Sequence, residues 1–366
     1  MANLAEIVRT FGPDYCDRHG DRMPPSHLRA LTDIGACRTE VFGGHLAQCD
    51  QCGHQHYSYH SCRNRSCPQC HTGDQRRWLD KRRAELLPIP YFHAVFTLPE
   101  ELRPLVRRRQ KALYAALFAA AAEALQVLCS DPRYVGGKIG ILAVLHSWTR
   151  QLRYHPHVHC LVTGGGLTTD GEWHEARKKY LVPVVVLSQL FRAKFMALVR
   201  KACPEENFPE SIWETDWVVY CKPAIQGSGK LLDYLGRYVH RIAVSNSNIL
   251  RVDKGQVTFT YKDSRDNHWK RTTLPGAEFL HRFLQHVLPR GFHKARYYGL
   301  FSPRQKERLR QAQWGLSLQE EKKRMETASP TGEANDSTQP PVCPKCAQGL
   351  MLIISWIPRA TRGPPG

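Results

Sequence analysis

The sequence has few acidic residues and no long apolar run. No apolar stretch approaches the roughly 20 residues of a membrane-spanning helix. The first residues, MANLAEIVRTFGPDYC, lack the apolar core of a signal peptide, so we expect a cytoplasmic protein. The 33 Asp and Glu residues are outnumbered by 52 Lys and Arg, which gives a formal net charge of +19. Unless its whole proteome of origin is basic, this excess indicates a polyanionic partner, most simply nucleic acid.

The length and the hydrophobic pattern indicate a globular protein with mixed secondary structure. The chain has 366 residues, of which 42% are hydrophobic, sufficient for about two or three domains. The pattern predicts helices within residues 1–36 and over 102–129, 188–202 and 278–288. It predicts strands over 91–98, 136–148 and 214–220, and a strand pair over 252–262. The alanine-rich part of 102–129 contains Glu123 and is short, so we expect a buried core helix there.

Thirteen cysteines are present, and cytosolic proteins rarely form disulfides. Their spacing favours a metal site instead. Cys49 and Cys52 form one Cys-x-x-Cys pair, and a second pair, Cys67 and Cys70, follows after fourteen residues. Each pair aims two thiolates at one point, so together the two pairs predict one tetrahedral structural zinc site. Residues that could replace one of these ligands, complete a second site or simply pack locally are Cys37, His45, His54, Cys62 and His71.

Two features near these cysteines have open roles. Arg63 and Arg65 lie between the predicted ligands. Loops of this kind often contact phosphate, although a purely structural ribbon is also common. Cys343 and Cys346 form a third Cys-x-x-Cys pair, which is only half a zinc site. Its remaining ligands would come from elsewhere in the chain or from another copy, or the ribbon is incomplete.

His157 and His159 lie on a predicted strand and are separated by one residue. Side chains alternate along a strand, so both imidazoles point to the same face and can bind one divalent metal ion. The alternative is a pair of half-buried strand histidines with no ligand.

A third histidine is expected beside this pair. The strand over 136–148 is joined to the histidine strand by a short polar connection, which predicts an antiparallel hairpin. If the hairpin is centred between residues 151 and 152, His146 lies opposite His157 and shares its face. His155 is the rival third ligand, although Pro156 disturbs that end of the strand.

A later segment, LLDYLGRYVHRIAVSN, has leucines at helical spacing and two tyrosines four residues apart. Tyr234 and Tyr238 therefore project from one face of a predicted helix. A tyrosine phenolate can attack a phosphodiester, and a divalent ion on nearby histidines would polarise the phosphate. The alternative is a tyrosine pair packed at the edge of a core. Arg237 and Arg241 could contact phosphate or be solvated.

Together these segments resemble the two-tyrosine rolling-circle transposases of the insertion-sequence-91 type, within the HUH endonuclease group. The resemblance runs over residues 37–301. The segments that carry it include SCRNRSCPQC, FTLPEELR, HPHVHCLVTGGG, YLGRYVHRIAVSN and EFLHRFLQHVLPRGFHKARYYGLF.

The resemblance implies a metal-dependent enzyme that nicks and transfers single DNA strands through a 5′-phosphotyrosine. His157 and His159 would be ligands of Mg²⁺ or Mn²⁺, with His146 as the third ligand. Tyr234 and Tyr238 would be the nucleophiles. The implied fold is α+β, with a central antiparallel sheet that carries the histidines and packed helices that carry the tyrosines, preceded by a zinc-ribbon-like domain.

The expected division is a zinc- and DNA-binding domain (1–85), a catalytic domain (86–302), a helix with a flexible linker (303–342) and a C-terminal cysteine tail (343–366). The expected partners are single-stranded element ends and target DNA. One alternative is a plasmid replication initiator or relaxase with the same chemistry. Another is a zinc-ribbon DNA-binding regulator without catalysis, which would bind duplex DNA in a salt-sensitive way without nicking it.

Overall fold

The computed structural model describes residues 2–177, 179–224, 227–239, 243–263, 266–324 and 340–360, with the backbone alone at 72, 228, 237, 238 and 319–324. Its helices are α1 (Leu4–His19), α2 (Pro25–Gly35), α3 (Thr72–Arg83), α4 (Arg103–Arg108), α5 (Gln110–Ser130), α6 (Val184–Ala202), α7 (Ser211–Glu214), α8 (Gly227–Val239), α9 (Gly276–Leu284) and α10 (Lys306–Arg324). Its strands are β1 (Gly44–Cys49), β2 (Gln55–Tyr59), β3 (Tyr91–Thr97), β4 (Gly140–Trp148), β5 (Tyr154–Thr163), β6 (Gly165–Leu167), β7 (Trp173–Glu175), β8 (Val219–Pro223), β9 (Ile249–Asp253), β10 (Gln256–Lys262), β11 (Trp269–Pro275), β12 (Ala295–Gly299) and β13 (Met351–Ile357).

Five strands form a central antiparallel sheet in the order β12-β4-β5-β3-β8. Strand β5 lies at its centre, hydrogen-bonded to β4 on one side and to β3 on the other. Helices pack against both faces of this sheet. The predicted α+β fold, with a cysteine-rich segment before a central antiparallel sheet, is confirmed.

Helices α5 and α6 cover one face of the sheet. Phe118 of α5 and Phe191 of α6 are fully buried there with Phe96 of β3 and Val158 of β5. Burial of each large apolar side chain contributes roughly 1.5–3 kcal/mol. Helix α5 is long and apolar enough to cross a membrane, yet 61% of its most apolar window is buried inside the protein. It is a core helix, as the sequence predicts.

Helix α8 covers the opposite face. Its Leu232 and Leu235 pack in one apolar cluster with Leu161 of β5. Helix α3 lies across the outer side of α8. A Cβ atom at Gly236 would lie 2.5 Å from Leu79 Cδ2, so glycine at this position allows the two helices to approach.

The N-terminal helices pack on a second antiparallel sheet with the order β11-β10-β9. Ile7 of α1 and Ile34 of α2 share a buried core with Phe259 of β10 and Phe279 of α9. The rings of Phe259 and Phe279 meet edge to face at a centroid distance of 5.6 Å. This core joins residues on both sides of the expected boundary at 85–86. The domain division stays a prediction.

A third sheet joins the two end regions of the chain. Its strand order is β13-β1-β2. The C-terminal strand β13 pairs antiparallel with β1, from Gly44 opposite Ile357 to Cys49 opposite Met351. Strand β2 pairs with the other edge of β1. The sequence does not predict this pairing.

Some predicted elements have different bounds. Residues 102–129 form two helices, because Arg109 between them has φ −116° and ψ 39°, outside the helical range. The strand predicted over 214–220 starts at Val219. Before it, Trp217 turns into the core and donates from Nε1 to the Ile212 carbonyl at 3.0 Å. The linker expected within 303–342 falls largely on residues outside the described part of the chain.

Candidate active site

Three histidines converge on the face of the central sheet that α8 covers. His146 of β4 pairs directly with His157 of β5, which confirms the predicted register. The register shifts only beyond this pair, between His146 and Trp148. With His159, the ligand nitrogens of these histidines lie within 4.8 Å of one another. Among the described residues this group contains His146 and omits the rival ligand His155.

Hydrogen bonds orient two of the imidazoles. His157 Nδ1 lies 2.7 Å from the His155 carbonyl oxygen, so Nδ1–H donates and Nε2 keeps its lone pair. His159 Nδ1 lies 2.8 Å from Nε2 of His93 on β3. Donation from His159 to His93 leaves the His159 Nε2 lone pair for an ion, an arrangement typical of metal sites. His93 lies on the strand that the sequence predicts over 91–98. Its contact with His159 could not be predicted, because the sequence does not show that this strand lies next to the histidine strand.

Burial keeps these imidazoles neutral. Desolvation lowers the pKa of His157 to about 4. Desolvation, and after it the neighbouring imidazoles, lowers the pKa of His146 and His159 well below the usual value. Neutral imidazole is the form that binds a metal ion. The set offers nitrogen ligands alone, so Mg²⁺ or Mn²⁺ would take its remaining ligands from water and phosphate oxygens.

Tyr234 faces the histidines from helix α8. Its ring centroid lies 5.7 Å from the ring of His159, and 6.3 Å from the rings of both His146 and His93. Buried leucines on either side of Tyr234 anchor this part of the helix. Tyr238 belongs to the same helix, and its side chain lies outside the described part of the structure. The structure therefore brings one of the two predicted nucleophiles to the histidines.

A lysine and further aromatic rings lie beside this group. Trp148 stacks on His146 with centroids 5.3 Å apart and planes at 16°. Lys294 Nζ lies 4.5 Å from the Trp148 ring centroid, and burial lowers the pKa of Lys294 well below its usual value. Tyr220 meets His93 edge to face at 5.8 Å. Trp148 and Tyr220 lie within predicted strands, but the sequence does not show that these strands meet at the histidines. Residues 294–298 read from the sequence as a DNA-facing surface or the start of a helix, whereas 295–299 form strand β12.

The four predicted zinc ligands do not form one site. The structure groups Cys49 and Cys52 with the C-terminal cysteines, and Cys67 and Cys70 with two others. Strand β2 causes this separation. Its five residues span about 16 Å, which carries the chain from one end of the hairpin to the other. The two groups are Cys37, Cys62, Cys67 and Cys70 (cluster A), and Cys49, Cys52, Cys343 and Cys346 (cluster B).

Both clusters fit a tetrahedral zinc ion. In cluster A, Cys37 lies 3.7 Å from Cys70 and from Cys67, and Cys62 lies 3.6 Å from Cys70, all between Sγ atoms. Two sulfur–sulfur distances in cluster B are 3.7 Å. A Zn–S bond of about 2.3 Å implies roughly 3.8 Å between tetrahedral ligands. All thirteen cysteines are free thiols, and the candidates His45, His54 and His71 belong to neither cluster.

The predicted DNA-binding arginines have different surroundings. Arg65 donates to three backbone carbonyl groups within residues 288–292, at 2.5–2.9 Å. These hydrogen bonds hold the loop between Cys62 and Cys67 against residues 288–292. Arg65 therefore has a structural role that its sequence context does not reveal. Arg63 is exposed and lines a cavity. The Arg237 side chain and all of Arg241 lie outside the described residues.

Comparisons with known proteins agree with these sites. A family model described as "Putative transposase" matches residues 140–308, and one described as "Transposase zinc-binding domain" matches residues 7–98. "Putative transposase y4qJ" of Sinorhizobium fredii is 39% identical, over 99% of this chain and 97% of its own length. "Transposase for insertion sequence element IS801" of Pseudomonas savastanoi pv. phaseolicola is 31% identical, over 76% of this chain and 70% of its own length. No solved structure matches significantly.

The two family models together include the histidine site, Tyr234 and all of cluster A. The relatives match the chain over most of their own lengths. The chain therefore belongs to the insertion-sequence-91 family of transposases, enzymes that act on DNA.

Proposed function

We propose that this transposase nicks and transfers single DNA strands by tyrosine attack, in rolling-circle transposition of an insertion sequence. One observation carries the proposal: the Tyr234 ring lies 5.7 Å from His159, over a group of three histidines whose ligand nitrogens lie within 4.8 Å of one another. A structural tyrosine has no need of three convergent neutral imidazoles beneath it. A strand-transferring nucleophile has such a need, because it attacks a phosphate that carries negative charge.

In the proposed step, the phenol oxygen of Tyr234 or Tyr238 attacks the scissile phosphorus. The phenol gives up its proton, the bond from phosphorus to the 3′-oxygen breaks, a 5′-phosphotyrosine forms, and the leaving 3′-oxygen takes up a proton. His146, His157 and His159 would hold a divalent ion, Mg²⁺ or Mn²⁺, that polarises the phosphate and neutralises developing charge. The two tyrosines permit two successive strand transfers, and the 3′-OH then attacks the phosphotyrosine to release the protein.

The proposed substrates are single-stranded element ends and target DNA. The formal net charge of +19 supports a polyanionic partner. Exposed Arg63 lies beside cluster A, which supports a role for the zinc-binding domain in engaging an element end. We place this activity in the cytoplasm.

The proposal is tested with end-labelled single-stranded oligonucleotides from the element ends and Mn²⁺. Wild-type protein is expected to give a covalent protein–DNA adduct that resists denaturation. The Tyr234→Phe/Tyr238→Phe double variant is expected to give none, whereas the control Tyr180→Phe, at an exposed tyrosine after β7, should behave as wild type. No adduct from wild type, or an adduct from the double variant, would show that the assignment is wrong.

A further inference from the structure

The C-terminal cysteine pair lies outside the zinc-binding domain matched over residues 7–98, yet it completes a ligand set with that domain. We infer that cluster B binds a second zinc ion, which clasps the C-terminal strand β13 onto the hairpin of β1 and β2. Each half of cluster B comes from one end region of the chain, so neither half can form the site alone.

Backbone groups around the cysteine pairs support metal binding. N–H groups two or three residues further along the chain point at Cys49, Cys343 and Cys346, with N···S distances of 3.4 Å. Such donors stabilise negative charge on sulfur, which a zinc-bound thiolate retains. The same turn geometry occurs in both halves of the site. It is the geometry that aims two sulfur atoms of each pair at one point.

The two halves also fit each other closely. A Cβ atom at Gly349 would collide with Cys49 Sγ and with Asp50 Oδ1. Asp50 Oδ1 accepts a hydrogen bond from the Leu350 amide at 2.8 Å, and the Asp50 amide donates to the Leu350 carbonyl at 3.2 Å. The C-terminal turn is therefore seated on the end of β1, with glycine at the point of closest approach.

Apolar packing gives β13 little support. Leu352, Ile353, Ile354 and Trp356 are between 46% and 68% exposed. The buried cluster beneath the strand consists of Ala47, Cys49, Cys343 and Met351. Two of its four members are themselves ligands of cluster B. Since hydrophobic burial here is small, a zinc ion would add to the backbone pairing of β13 with β1 a link that helps offset the entropy lost when this segment is ordered.

The clasped segment also completes a cationic cavity of about 1300 Å³. After β13 the chain runs along the wall of this cavity, where the Arg359 guanidinium lies 4.9 Å from the Phe42 ring centroid. The charged side chains that line it are Arg29, Asp33, Arg63, Arg65, Arg290 and Arg359. Such a lining suits phosphate groups. Its use by DNA rests on the proposed function, whereas the zinc clasp does not.

Zinc content tests the clasp directly. Metal per chain is measured by inductively coupled plasma mass spectrometry in a His157→Ala/His159→Ala background, so that the histidine site does not contribute. Two zinc ions per chain are expected, one for each cysteine cluster. Cys343→Ser/Cys346→Ser should retain one, while the control Cys16→Ser, a cysteine in neither cluster, should retain both. One zinc ion in the parent, or two in the Cys343→Ser/Cys346→Ser variant, would overturn the inference.

Two measurements keep the test decisive if the serine variant folds poorly. Titration of the parent with a mercurial reagent should release two equivalents of zinc, and a single equivalent would overturn the second site. Hydrogen exchange of β13 should become fast when zinc is chelated, while β5 stays protected. Slow exchange of β13 without zinc would overturn the clasp. Both measurements omit DNA, so a failure of nicking would leave their outcome unchanged.

Discussion

The histidine site and cluster B differ in how far apart their ligands lie along the chain. The three histidines fall within fourteen residues on two paired strands of the central sheet. In cluster B, Cys52 and Cys343 are 291 positions apart and meet in the turns beside the edge strand β13. The first site is held by a packed core whether or not an ion is bound. The second must close a long loop, so its formation and metal binding are coupled.

This difference predicts that substitutions at one site leave the other site unchanged. Loss of the histidines should remove chemistry and leave the architecture intact. Loss of cluster B should release a strand and leave the catalytic geometry intact.

The largest expected effect is on the rate of nicking. The His157→Ala/His159→Ala variant should nick element-end DNA about 10³-fold or more slowly, because the loss of metal-assisted charge stabilisation costs several kcal/mol. Single-turnover assays with Mn²⁺ measure this rate, and zinc content and β13 exchange serve as controls that should not change. A nicking rate within tenfold of wild type would contradict a catalytic role of the histidines. A loss of zinc from cluster B in this variant would contradict the independence of the two sites.

A smaller effect is expected at His93, which touches the predicted ligand His159 rather than the ion. The His93→Ala variant should weaken Mn²⁺ binding by about 10–100-fold, because the hydrogen bond that orients His159 is lost. Titration followed by the electron paramagnetic resonance of Mn²⁺ measures this affinity. His268→Ala, at an exposed histidine in the loop before β11, is the matched control. Equal Mn²⁺ affinities for the two variants would show that His93 does not support metal binding.

The smallest expected effects come from one glycine at each site. Gly236→Ala would place a Cβ atom against Leu79, and Gly349→Ala would place one against Cys49. Each should cost about 1 kcal/mol, the low end of the penalty for overpacking, the first in global unfolding free energy and the second in zinc affinity of cluster B. Gly315→Ala is the control, because nothing lies within 4 Å of its Cβ position on α10. A loss of zinc affinity in Gly236→Ala, or a loss of global stability alone in Gly349→Ala, would contradict the independence of the sites.

Local patterns in the sequence predicted the arrangement of the three histidines. Strand alternation placed His157 and His159 on one face, and the length of the connection placed His146 opposite His157. Helical spacing of leucines predicted α8 and thus a common element for Tyr234 and Tyr238. These inferences use neighbours within about twenty residues, where the geometry of a single hairpin or helix decides the outcome.

Contacts between residues that are far apart in the sequence could not be predicted in the same way. The spacing of Cys49, Cys52, Cys67 and Cys70 fits one zinc site, and only the path of β2 shows that it belongs to two. The contacts of Arg65 depend on residues more than 220 positions away. Spacing along the chain offered Cys37 and Cys62 as further ligands and showed that Cys343 and Cys346 need partners, but it does not tell which distant residues complete each set.

Mass spectrometry of the covalent adduct tests the central claim most directly. Trypsin cuts after Lys230, Arg237 and Arg241, so Tyr234 and Tyr238 fall on separate peptides. After reaction of wild-type protein with element-end DNA and Mn²⁺ and nuclease trimming, we predict a 5′-phosphonucleotide on one or both of these peptides. Cleaved DNA without any covalent adduct, or an adduct on a different residue, would contradict a tyrosine-based active site at the histidine cluster.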